Sequence, residues 1–82
     1  MNHEVQLAAS LRDCTGGAAS VSIEAATIRE LFRKLVERYP RLESRLRDGI
    51  AVSVNGDIFR DDWNQAIPEG AEVFLLPRIN GG

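Results

Sequence analysis

One segment of this chain is both long enough and periodic enough to form a full amphipathic helix, and period-two segments lie on either side of it. Ile28, Leu31, Phe32, Leu35, Val36 and Tyr39 fall at i, i+3, i+4, i+7, i+8 and i+11, a single apolar stripe at helical spacing. Thr27 and Glu30 form a capping-box pair at its start, each side chain able to satisfy the other residue's otherwise unpaired backbone N–H. Pro40 disfavours helical geometry at Tyr39 and ends the helix there, and Leu42 and Leu46 extend the apolar side in a short second turn before Asp48-Gly49. Burial of six such side chains is worth on the order of ten kcal/mol before entropy is subtracted, so this helix dominates the core.

Before the helix, Val5, Leu7, Ala9 and Leu11 alternate with Glu4, Gln6, Ala8, Ser10 and Arg12, the pattern of a strand with one buried face. Asp13-Cys14-Thr15-Gly16-Gly17 predicts a turn, and Val21 and Ile23 resume the alternation, closing a hairpin. After the helix, Ile50, Val52 and Val54 alternate up to Asn55-Gly56-Asp57, a strong hairpin signal, with Ile58-Phe59-Arg60 as the returning strand. Asp61 through Gly70 predicts a loop and Ala71 to Leu76 the last strand. In that strand Val73 and Leu75 face one way and Phe74 and Leu76 the other, so it is either covered on both sides or presents one side to a partner. Strand, strand, helix, strand, strand, strand is an α+β layer order, that of the ubiquitin-like β-grasp: a mixed sheet of about five strands on one main helix.

Size and charge narrow the function. A chain of 82 residues is one small domain, which buries only a little over ~60% of its unfolded surface and has little room for a deep, walled active site. No pair of carboxylates, Cys/His arrangement or phosphate-cradling loop can be placed on one site, so an independent enzyme is not expected. Nine Arg and the single Lys34 are offset by twelve acidic residues, and Arg29, Arg33, Lys34, Arg38, Arg41, Arg45 and Arg47 alternate with Glu30, Glu37, Glu43 and Asp48. That is a solvated helix face rather than a nucleic-acid surface. Cys14 is the only cysteine, which excludes an internal disulfide. With no signal segment and no apolar run near 18 residues, neither a membrane nor export is indicated, and the expected location is the cytoplasm.

The last residues carry chemistry of their own. Pro77 cannot donate a ladder hydrogen bond, so a β-grasp domain of residues 1–76 is expected to end there and residues 77–82 to project as a flexible tail. Six residues from Pro77 reach up to ~20 Å when extended, enough to enter another protein's active site. Gly81 and Gly82 bear no side chain to block a narrow channel or shield the carbonyl from a nucleophile. A carboxylate is a poor electrophile, so a partner must first activate it.

Along its whole length the chain resembles the MoaD/ThiS family of sulfur-carrier proteins. The matching pieces are Leu11-Arg12-Asp13 with Thr15-Gly16-Gly17, the capped helix start Thr27-Ile28-Arg29-Glu30-Leu31, Val54-Asn55-Gly56, and the run from Pro68 to Gly82 ending Asn80-Gly81-Gly82. The resemblance is stronger to MoaD, the small subunit of molybdopterin synthase, than to ThiS, in which the region between helix and third strand is usually shorter. It implies that a ubiquitin-activating-like adenylyltransferase, using its own ATP and magnesium, adenylates the Gly82 carboxylate, and that sulfur displaces AMP to leave a thiocarboxylate. The carrier itself would bind no cofactor or metal. It would then hand its sulfur to the large subunit of molybdopterin synthase or to another acceptor enzyme, as related carriers do for thiamin and cysteine synthesis.

Gly81 stands beside that carrier group, and Phe74, Leu76, Arg78, Ile79 and Asn80 are the candidate partner contacts, Asn80 standing where MoaD tails commonly carry a small residue. Two other functions fit the same residues: a ubiquitin-like modifier of protein lysines, for which Lys34 is the single internal acceptor, and a binding module in which the terminal glycines are incidental. Outside this set, Cys14 is expected to be a half-buried turn residue, His3 an exposed terminal residue, and Trp63 either a lid on the core or a partner contact.

Overall fold

The computed structural model describes residues 2–60 and 62–77. Five strands, β1 (Asn2–Leu7), β2 (Ser20–Glu24), β3 (Ile50–Val54), β4 (Asp57–Phe59) and β5 (Val73–Pro77), form one sheet in the order β2-β1-β5-β3-β4. Helices α1 (Ile28–Arg38) and α2 (Leu42–Asp48) lie between β2 and β3. β5 runs parallel to β1 and antiparallel to β3, so the last strand sits in the middle and joins two hairpins. This is the expected mixed sheet of the β-grasp.

The helix follows its sequence closely. Ile28, Leu31, Phe32 and Leu35 are buried, while Val36 and Tyr39 at the end of the stripe are half-buried. The Thr27 hydroxyl accepts from the Glu30 N–H at 3.2 Å, as a capping box requires. The reciprocal bond lands one residue earlier than expected: Glu30 Oε1 accepts from the N–H of Ala26 at 3.0 Å. The two remaining first-turn N–H groups are satisfied from a distant loop, Ile28 donating to the Gln65 carbonyl at 3.1 Å and Arg29 to that of Trp63 at 2.8 Å. Thr27→Ala removes one of these partners and is expected to cost about 1 kcal/mol, read as a fall of about 4–8 °C in the thermal midpoint.

Two expectations need correction here. The first strand stops at Leu7, and Ala9–Thr15 is a 3-10 helix in which Leu11 is buried as helical packing rather than as strand alternation. Its C-cap is Gly16 at φ 70°, followed by Gly17 at φ 92°, so the paired glycines do supply the positive φ that the turn needs. His3 is buried at 2% exposure, because it shares the inward face of β1 with Val5 and Leu7. Pro77 closes the last strand as expected: it is the last residue of β5, opposite Ile50, one position past the Leu76 at which the strand was expected to end.

Candidate functional site

The site is built on β5 because that strand is covered on one face only. Val73 and Leu75 point into the core with Val5, Leu7, Val52 and α1, whereas Phe74 and Leu76 are half-buried on the opposite face, which no helix covers. The register Gln6↔Phe74, Phe74↔Ser53 and Ser53↔Ile58 lays one row of side chains across four strands on this open face. Between β5 and the β3–β4 hairpin the face forms a shallow groove of about 530 Å³, lined by Ser53, Ile58, Phe74 and Leu76 with Glu72 at one end.

Two local features hold the groove's rim. Asn55 and Gly56 take φ 52° and 91°, the positive values of a type I′ turn that matches the twist of the flanking strands. Asn55 also ties the turn to β5, its N–H donating to the Glu72 carbonyl at 2.9 Å and its Oδ1 accepting from the Glu72 N–H at 2.9 Å. The hairpin and the start of β5 thus move as one piece.

Among the residues expected to meet a partner, Phe74 and Leu76 stand on this face, while Arg78, Ile79, Asn80, Gly81 and Gly82 lie outside the described residues. The sequence reading missed Ile58, which at 54% exposure is the one exposed large hydrophobic among the described residues. The signal was present: an Asn-Gly turn fixes the register, and this places Ile58 opposite Ser53 on the face of Phe74.

The remaining candidates are structural. Cys14 is buried rather than half-buried, its Sγ 3.8 Å from the Arg41 carbonyl and 3.9 Å from Asp13 Oδ1. His3 Nε2 lies 3.0 Å from the Ala25 carbonyl, and its Nδ1 is buried without a partner among the described residues. Trp63 is half-buried and meets Phe32 edge to face at 4.7 Å, a lid over the helix. The helix charges pair at i, i+4 spacing, Arg33 with Glu37, Lys34 with Glu30 and Arg47 with Glu43, which agrees with a solvated face. No helix among the described residues is long and apolar enough to cross a membrane.

The profile of the ThiS family matches residues 5–82. A molybdopterin synthase sulfur carrier subunit of Pyrenophora tritici-repentis is 39% identical over 57 residues, 66% of this chain, and the match spans 61% of that relative's length. Among solved structures, CysO of Mycobacterium tuberculosis superposes with a TM-score of 0.78 at 28% identity, covering 93% of this chain and 98% of that one. SAMP1 of Haloferax volcanii gives 0.78 at 29% identity over the whole of both chains. A CysO from Amycolatopsis orientalis, solved as a BexX/CysO complex, gives 0.77 at 26% identity over 96% of this chain and 98% of the other. With its five-stranded sheet, central last strand and a profile match that runs through Gly82, the chain belongs to the ThiS family, the MoaD/ThiS group of small ubiquitin-like sulfur carriers that are not enzymes by themselves.

Proposed function

We propose that this protein carries sulfur as a thiocarboxylate on Gly82 and delivers it in cofactor biosynthesis, as the small subunit of molybdopterin synthase. The observation that carries this reading is the extent of the family match, which includes both the sheet and the Gly81-Gly82 end. The molybdopterin synthase relative supports the choice of acceptor.

In the proposed cycle a carboxylate oxygen of Gly82 attacks the α-phosphate of ATP held by a ubiquitin-activating-like adenylyltransferase, and pyrophosphate leaves. A sulfur nucleophile at the sulfide level then adds to the acyl carbonyl and AMP departs with the bonding pair, leaving C–S in place of C–O. ATP and magnesium belong to the activating enzyme. This chain contributes the acyl group, a side-chain-free approach at Gly81 and Gly82, and the sheet face that holds the tail's root against the partner.

The test is the intact mass after incubation with the native activating enzyme, ATP, magnesium and a sulfur donor. The expected gain is one oxygen exchanged for sulfur, lost on deletion of Gly82; an unchanged mass beside a demonstrably active enzyme removes the chemistry. A second reading, in which the activated glycine joins target lysines, is favoured by the likeness to SAMP1, a small archaeal modifier protein. It predicts products of higher mass that survive denaturation and thiol reduction, whereas the carrier reading predicts sulfur transfer and recovery of the unmodified chain.

A further inference from the structure

We infer that the β2 edge of the sheet is a pairing surface for β2 of a second copy of this chain, and that Lys34 and Arg38 of α1 hold that edge closed. The inference stands apart from the proposed carrier role.

The sheet has two edge strands, and β2 is the longer, with 5 residues against 3 in β4. Leu7 donates its N–H to the Ala19 carbonyl at 2.9 Å, and with the antiparallel register this turns the backbone groups of Ser20, Ser22 and Glu24 outward, away from β1. Such a row is its own complement. A second β2 laid antiparallel about a two-fold axis at Ser22 sets Ser22 against its equivalent and Ser20 against Glu24, so no like charges are directly opposed. At β4 the two-residue turn makes Val54 and Asp57 a hydrogen-bonded pair, which leaves Ile58 as the one residue of that strand with its backbone groups turned outward. The edge able to extend the sheet is therefore β2.

Two of its outward carbonyls are taken from α1. Arg38 Nη1 donates to the Ser22 carbonyl at 3.1 Å, and Lys34 Nζ donates to the Glu24 carbonyl at 2.7 Å. The spacing permits this, because four residues of helix rise about 6 Å and two residues of strand about 7 Å, so side chains one turn apart on α1 meet alternate carbonyls of β2. Each cation is braced by a neighbour. Lys34 lies 3.9 Å from Glu30, whose carboxylate also accepts from the Ala26 N–H, and the Arg38 guanidinium stands over the Tyr39 ring at 5.4 Å. The two head groups fill the space that an incoming strand needs and place donors where that strand would bring its own N–H groups. Arg33 of the same helix is paired instead with Glu37, both side chains largely exposed.

The experiment is sedimentation velocity of the full chain over roughly 10–500 µM, the range in which a small edge contact registers. It compares the wild type, the double variant Lys34→Ala with Arg38→Ala, the control Arg33→Ala, and the double variant carrying Ser22→Pro as well. Alanine keeps helix propensity, and proline at Ser22 removes an N–H that points away from β1, so circular dichroism is expected to show each of them folded. The wild type and Arg33→Ala are expected to stay monomeric. The double variant is expected to dimerise with a dissociation constant on the order of 50 µM, at least about tenfold tighter than the wild type, and Ser22→Pro should return it to the monomer. A folded double variant that stays monomeric overturns the inference, as does a dimer indifferent to Ser22→Pro. A wild type that already pairs, in a way that Ser22→Pro abolishes, shows that the edge is not held closed and overturns it too. Should the double variant fail to fold, Arg38→Ala alone uncovers the central Ser22 carbonyl, and a folded single variant no more associated than the wild type is equally fatal.

Discussion

Leu75→Ala is expected to lower the thermal midpoint by about 15 °C or more, whereas Leu76→Ala, one residue on, should shift it by only a few degrees. Leu75 is fully buried and lies between Leu7 of β1 and Val52 of β3, themselves fully buried. Removing its three outer carbons leaves a cavity where the two hairpins meet under α1, at a cost of about 2–5 kcal/mol. For a domain of this length the whole folding free energy is roughly 4–12 kcal/mol, so about a sixth of it or more is at stake. Leu76 is half-buried on the face that α1 does not cover, and trimming it removes surface that was partly wet already. Urea or thermal unfolding of the two variants measures this directly. Equal losses would mean that the two faces of β5 are not distinguished as described.

The second large effect concerns the proposed carrier chemistry. Gly81→Val is expected to reduce the rate of thiocarboxylate formation by about 100-fold while leaving the fold and its unfolding midpoint unchanged. A β-branched side chain next to the reacting carboxylate stiffens the backbone and occupies the space through which the activating enzyme must pass the chain. A displacement of about an ångström at the reacting atoms is enough for a loss of that size. Intact mass against time measures the rate, and denaturation of the same sample measures the fold. A variant that gains sulfur at the wild-type rate would show that no narrow passage surrounds Gly81, and the glycine pair would lose its explanation.

How much of this was legible in the sequence depended on the range of the interactions involved. The α1 stripe, the Thr27 cap and the Asn55-Gly56 turn are local, each decided by residues within a few positions, and the structure keeps all three. Leu11 misled because one apolar residue at even spacing fits a strand until something ends the strand, and the bend at Ala8 that starts the 3-10 helix has no local marker. His3 was placed outside by its polarity and its position near the N-terminus, yet the strand's alternation puts it inward. Which face of β5 would be covered depends on where α1 packs, so the alternation of Phe74 and Leu76 left the choice open. The exposure of Ile58 is a long-range outcome of the same kind. The five residues that would meet a partner first, Arg78 to Gly82, gain their meaning from family likeness and from the chemistry of glycine.

The carbonyls of Trp63 and Gln65, which close the first turn of α1, bear on how the molecule opens. A helix end capped only by its own side chains frays alone, and its first amides exchange with solvent in fast local openings. Here the amides of Ile28 and Arg29 are released only when the loop that follows β4 lifts away, taking Trp63 off Phe32 as it goes. The loop and the helix start therefore form one cooperative unit, and slow hydrogen exchange at those two amides reports the integrity of a segment far along the chain.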